Sequence, residues 1–121
     1  MRIVFIGSVD FSRHCLQEVI RCGGNVVAVL TTEVKRAIPG SDYADLAPVG
    51  TAHGVPVHRI GKINDTKTIE LIRSLGPDII FAFGFSQLLG MEIIKIPIKG
   101  CIGSHPALLP RNRGRHPLIW A

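Results

Sequence analysis

The sequence predicts an α/β fold: an open, mostly parallel, doubly wound sheet in a single domain over residues 1–121. Three observations predict it. Short apolar runs rich in β-branched residues alternate with stretches whose apolar residues recur at helical spacing. Glycines and prolines punctuate the changeovers, at Gly7, Gly23-Gly24, Gly76-Pro77 and Gly84. Hydrophobic residues make up 46% of the chain and charged residues 19%, a balance that suits a sheet buried on both faces and excludes a disordered tail.

The elements follow in order. Arg2 to Ile6 is a short apolar run closed by Gly7-Ser8, which suits a buried strand. Phe11, Cys15, Leu16, Val19 and Ile20 share one helical face, and Gly23-Gly24 stops that helix. Val26 to Leu30 is a second strand. Glu33 to Ala47 mixes charge with Pro39, Gly40 and Ser41 and reads as a loop. A short helix begins near Pro48 and ends at Gly54, followed by a weak third strand from Val55 to Ile60. Asn64 or Asp65 caps the next helix, whose apolar face is Ile69, Leu71, Ile72 and Leu75 and which Gly76-Pro77 closes. Asp78 to Phe83 is the strongest strand signal. A helix is expected from Gln87 to Lys95, weakened in its middle by Gly90, then a fifth strand from Gly100 to Ser104. His105 to His116 is a loop rich in proline and arginine, and Pro117 opens another helix.

The composition narrows the setting. No apolar run approaches the roughly 20 residues of a membrane helix, and the opening segment is too short in its apolar part for a signal peptide. Cys15, Cys22 and Cys101 are an odd, scattered set, read as reduced thiols of a cytoplasmic protein. The formal net charge of +5 suits an ordinary basic surface, but Arg111, Arg113 and Arg115 alternate within five residues, so part of it is local. The chain ends at Leu118-Ile119-Trp120-Ala121, inside an expected starting helix, which predicts a longer parent protein.

In open parallel sheets ligands bind beyond the carboxyl ends of the strands. Three loops therefore matter: Gly7 to Phe11, Gly84 to Leu89, and His105 to Arg115. The first lacks the second glycine of a dinucleotide fingerprint, and Asp10 repels phosphate at that helix start, so a nicotinamide enzyme or a phosphate-loop nucleotidase is disfavoured. The second, Phe83-Gly84-Phe85-Ser86-Gln87-Leu88-Leu89, reads either as core packing or as a slot for a flat heterocycle whose edge is read by backbone groups. In the third, His105 stands where a strand runs out and precedes a proline; its imidazole accepts or delivers protons near neutral pH. Cys101, His105 and His116 lack the paired spacing of a metal site, so no metal is expected.

These residues carry a resemblance that runs nearly end to end. Met1-Arg2-Ile3-Val4-Phe5-Ile6-Gly7 with Asp10-Phe11, His53-Gly54-Val55-Pro56-Val57, Pro77-Asp78-Ile79-Ile80, and above all His105-Pro106, Leu108-Leu109-Pro110 and Arg113-Gly114 resemble the folate-dependent formyltransferases. The resemblance implies a Rossmann-like formyltransferase fold. It implies an enzyme that uses 10-formyltetrahydrofolate as co-substrate and moves the formyl group to a primary amine. It maps the catalytic histidine onto His105, lines the pterin pocket with Gln87, Leu88 and Leu89 beside Phe85 and Ser86, and places Arg115 at the border of the folate site. Two departures stand out. The family's catalytic asparagine is replaced by Gly103, and its aspartate would lie beyond Trp120, so this piece alone is expected to be inactive or nearly so.

The acceptor stays open at this level. Arg111, Arg113 and Arg115 suit an anionic ligand, whether a folate glutamate tail, a nucleotide diphosphate or a tRNA backbone, with Arg111 and Arg113 assigned to the substrate, although a solvated basic loop explains them too. The ending Arg113-Gly114-Arg115-His116-Pro117-Leu118-Ile119-Trp120 and the short, mildly basic stretch Glu33 to Gly40 are closer to amino-sugar enzymes. A nucleotide-linked amino sugar is therefore the first expectation, methionyl-tRNA the second, and a non-catalytic folate- or nucleotide-binding module the third. No membrane partner is expected, and a homodimer is left open.

Overall fold

The computed structural model describes residues 1–32 and 43–103. Its elements are β1 (Ile3–Ile6), α1 (Asp10–Arg21), β2 (Val26–Thr32), α2 (Ala47–Ala52), β3 (Val57–Ile60), α3 (Thr66–Leu75), β4 (Ile79–Ala82), α4 (Met91–Ile94) and β5 (Cys101–Gly103). The five strands form one sheet in the order β3-β2-β1-β4-β5, every pair parallel. The doubly wound architecture expected from the alternation is thus the one observed.

Burial on both faces explains why the strands are apolar throughout. Along β1, Ile3 and Phe5 enter one core with Leu16, Val29, Leu46 and Val49, on the side of α1 and α2. Val4 and Ile6 enter the other core with Ile69, Ile72, Ile80 and Ile93, on the side of α3 and α4. All four β1 residues are buried. Burying one such side chain contributes about 1.5–3 kcal/mol.

Local chemistry sets the boundaries. Helix α1 ends as the two glycines require: Gly23 takes φ +87°, and the N–H groups of Gly23 and Gly24 donate to the carbonyls of Ile20 and Val19. Of the two cap candidates for α3, Asp65 is the cap and accepts from the Thr68 N–H at 3.0 Å. Gly76 ends that helix at φ +58°. Strand β2 runs further than expected because Thr31 and Thr32 keep pairing with Arg59 and Ile60, which makes β2 rather than β4 the longest strand. Asp45 accepts from the Ala47 N–H at the start of α2 and from Arg59 at 2.9 Å; that guanidinium holds the carboxyl below its ordinary range.

One expected element is wrong in extent. The helix placed from Gln87 to Lys95 is only the single turn Met91–Ile94. Gly90 is extended at φ −77°, ψ 167°, and its N–H is drawn away to the Asn64 side chain, so helix cannot propagate back through 87–90. Residues 33–42, within the expected Glu33–Ala47 loop, lie outside the described residues, as do Ser104 and everything after it.

The cysteines differ sharply in environment. Cys101 is buried beneath the sheet, and burial pushes its thiol up to about 11; Cys15 is half-buried and raised for the same reason; Cys22 is exposed. Since the thiolate is the reactive form, iodoacetamide at about pH 8 is expected to modify Cys22 first and Cys15 more slowly. Cys101 should react only on unfolding, as read by mass spectrometry with and without denaturant.

Candidate functional site at the carboxyl ends of β4 and β5

The two loops leaving β1 and β4 are stitched together by Ser12. Its hydroxyl donates to the Phe83 carbonyl at 2.6 Å and accepts from the N–H groups of Ser8 and Val9 at 3.2 Å. The Ser8 N–H also reaches the Gly84 carbonyl at 3.3 Å. A Cβ on Gly7 would stand 2.5 Å from the Phe83 carbonyl oxygen, so only glycine allows this approach. Two amides of the turn before α1, those of Ser8 and Val9, are therefore already engaged. Asp10 adds a negative charge there, its carboxyl held down by the Arg13 guanidinium at 2.7 Å.

The loop after β4 is built differently. Gly84 turns the chain in the left-handed region at φ +67°. The two phenylalanines flanking it pack in different places. Phe83 meets Phe81 at 5.7 Å, Phe5 at 6.0 Å and the edge of Phe11 at 6.5 Å, on the α1 side. Phe85 is buried with Leu89 in the core on the α3 side. Both rings thus pack against the protein's own side chains. Among the expected pterin-binding residues, Ser86 and Leu88 are exposed, whereas Phe85 and Leu89 turn their side chains inward.

Gln87 has its carboxamide engaged at both ends. Its Oε1 accepts from the Ile63 N–H at 2.8 Å, and its Nε2 donates to the Gly61 carbonyl at 2.9 Å. Asn64 answers from the opposite loop, donating to the Leu88 carbonyl at 2.9 Å and accepting from the Gly90 N–H at 2.7 Å. In contrast, the backbone N–H groups of residues 84–89 donate to no group among the described residues. A braced loop with a row of open amides suits recognition of the polar edge of a flat ring. Asn64 and Ser12 were not legible as site residues, because their partners lie 24–26 and 71–72 positions away along the chain.

Strand β5 lies beside β4 with Gly103 opposite Ala82, so the chain leaves both strands at the same end of the sheet. His105, Arg111, Arg113 and Arg115 fall outside the described residues. Gly103 does not, and it is tightly confined: a Cβ there would stand 2.5 Å from the Ala82 carbonyl oxygen. The position the resemblance assigns to an asparagine has no room for a side chain in this geometry. Gly103→Asn is therefore expected to lower stability by about 1–3 kcal/mol through forced separation of β4 and β5, and not to improve any activity. A thermal melt beside a rate measurement checks both.

No helix among the described residues is long and apolar enough to cross a membrane. Against known proteins, the chain matches the formyl transferase family model over residues 1–121. It is 37% identical to a methionyl-tRNA formyltransferase of Agathobacter rectalis over 123 residues, covering 100% of this chain and 40% of that protein. It is 40% identical to one of Citrifermentans bemidjiense over 124 residues, covering 99% of this chain and 38% of the relative. The chain thus spans about two fifths of the length of these relatives. In shape it resembles glycinamide ribonucleotide transformylase 1 of Symbiobacterium toebii, with a TM-score of 0.66 at 17% identity over 91% of this chain and 53% of that one. That likeness is one of fold, and it agrees with the parallel sheet described above. Matched over its full length by the family model and by close sequence relatives, the chain belongs to the formyl transferase family.

Proposed function

We propose that the protein transfers a formyl group from 10-formyltetrahydrofolate to the amino group of methionyl-tRNA. The observation that carries this reading is the 36–40% identity, along nearly the whole chain, to proteins named methionyl-tRNA formyltransferase. It reverses the order of acceptors drawn from the sequence, where the Arg-Gly-Arg-His-Pro ending puts a nucleotide-linked amino sugar first. The arginine cluster and the net charge of +5 serve a tRNA backbone equally well.

In this reading residues 1–121 act as one cytoplasmic domain. The open amides of the 84–90 loop, with Ser86, Leu88 and Arg115, receive the carrier, and Arg111 and Arg113 receive the acceptor's phosphates. The amine nitrogen bonds to the formyl carbon, giving a tetrahedral intermediate with a negative oxygen. The bond from that carbon to N10 of the carrier then breaks. The proton lost by the amine is returned to N10, with His105 as the group that carries it. Protonated His105 also stabilises the oxyanion, since Gly103 offers no side chain to do so.

The test is to give the complete gene product a carrier labelled in its formyl carbon, with methionyl-tRNA and a nucleotide-linked amino sugar in parallel. Label is expected in methionyl-tRNA, at a rate that falls steeply with salt. Label in the sugar instead overturns the acceptor, and label in neither overturns the transfer reading.

A further inference from the structure

We propose that Asn64 is a positioning residue for the formyl donor: its carboxamide fixes the shape of the 84–90 loop that receives the carrier. The inference rests on the reading of that loop as the donor site and adds to it a residue from a different segment, the turn between β3 and α3.

Three features carry it. The Asn64 amide grips two peptide units of the loop at once, donating to the Leu88 carbonyl and accepting from the Gly90 N–H, as a neighbouring strand would. Gln87 returns the same bidentate contact to Gly61 and Ile63, so two loops about 25 residues apart are joined by four hydrogen bonds. Gly90 is fitted to this grip: a Cβ there would lie 2.7 Å from Asn64 Oδ1.

The turn that presents Asn64 is itself anchored. The Asp65 N–H and the Thr68 hydroxyl both donate to the Lys62 carbonyl, and Asp65 caps α3. The first part of the loop is held by the inward Phe85 and Leu89 side chains and by Gln87, but the N–H groups of residues 84–89 have no acceptor among the described residues, so the Leu88–Gly90 backbone takes its grip from Asn64. Asn64 is exposed and lies outside both cores, so its side chain sets the shape of the loop and not the packing of the domain.

This separates a positioning role from a structural one. Removing the grip should leave the fold and the chemical step intact and weaken donor binding, because the loop backbone is no longer held in one shape before the carrier arrives. In the complete gene product, N64A and N64D are each expected to raise the KM for 10-formyltetrahydrofolate by about tenfold, with kcat and the acceptor KM little changed. N64D keeps the acceptor for Gly90 but sets a carboxylate against the Leu88 carbonyl, so a near-isosteric change suffices. Q87A, which removes the reciprocal contact, should shift the same constant in the same direction.

Binding of 5-formyltetrahydrofolate by calorimetry, with melting temperature alongside, decides the matter. Weaker binding in N64A and N64D at an unchanged melting temperature supports the proposal. Wild-type affinity in both variants overturns it while leaving the donor-site reading intact. A melting temperature that falls in step with affinity assigns Asn64 to stability and also overturns it. No binding by the wild-type protein overturns the donor-site reading and this inference together.

Discussion

His105→Ala in the complete gene product is expected to lower kcat for formyl transfer by about two to four orders of magnitude, the usual contribution of a positioned acid–base group. The expectation comes from what the transfer requires and what this site lacks. A proton must leave the attacking nitrogen and another must reach N10 of the departing carrier. In this chain the family's asparagine is replaced by Gly103, and the Ala82 carbonyl closes the space where a side chain would go. His105 follows two positions later in the sequence, with glycine at the position that the resemblance gives to the asparagine. The loss should therefore appear in kcat, with the KM values for both substrates close to wild type. Single-turnover measurement isolates the chemical step. Turnover within a few-fold of wild type would remove His105 from the mechanism.

Gly84→Ala is the second large effect, on both stability and donor binding. The residue sits at φ +67°, a conformation that costs a side-chain-bearing residue roughly 1–2 kcal/mol. An added Cβ would also meet the Ser12 hydroxyl and stand 2.5 Å from a Val9 methyl, where overpacking typically costs about 1–3 kcal/mol. Moving Ser12 aside breaks its bonds to Phe83 and to the Ser8 and Val9 amides, which join the β1 and β4 loops. A total near 2–5 kcal/mol follows. Chemical denaturation should show a lower midpoint at an unchanged slope. Carrier binding should fall with it, because the loop proposed to receive the carrier begins at this residue. A midpoint within error of wild type would mean that the junction yields easily.

Much of the fold was legible because the signals were local. The strand at Ile3–Ile6, the glycine stop after Arg21 and the aspartate cap of α3 each depend on residues within a few positions of one another. The α4 boundary was not legible, because a side chain 26 residues upstream takes the Gly90 N–H that helix would have used. The site divides in the same way. Phe85 and Leu89 were named for the pterin pocket, and their side chains are core; alternation along a loop does not show which side chains turn inward. Gln87 was placed in the pterin pocket by resemblance, and its amide reaches across to the adjoining turn. What the loop presents is backbone, which composition does not reveal. Gly103 was legible as a departure from the family pattern, but the reason for glycine there, the approach of Ala82, needed three dimensions.

In the proposed function the one-carbon carrier lies against the 84–90 loop, beyond the carboxyl ends of β4 and β5, and not against the turn after β1 that Ser12 ties to the β4 loop. Amide resonances of the nitrogen-15-labelled protein, followed while 5-formyltetrahydrofolate is added, test it residue by residue. The account predicts the largest shifts at residues 85–89, with Ser8 and Val9 little affected. Shifts centred on Gly7 to Phe11, or none within 84–90 at saturation, would contradict it.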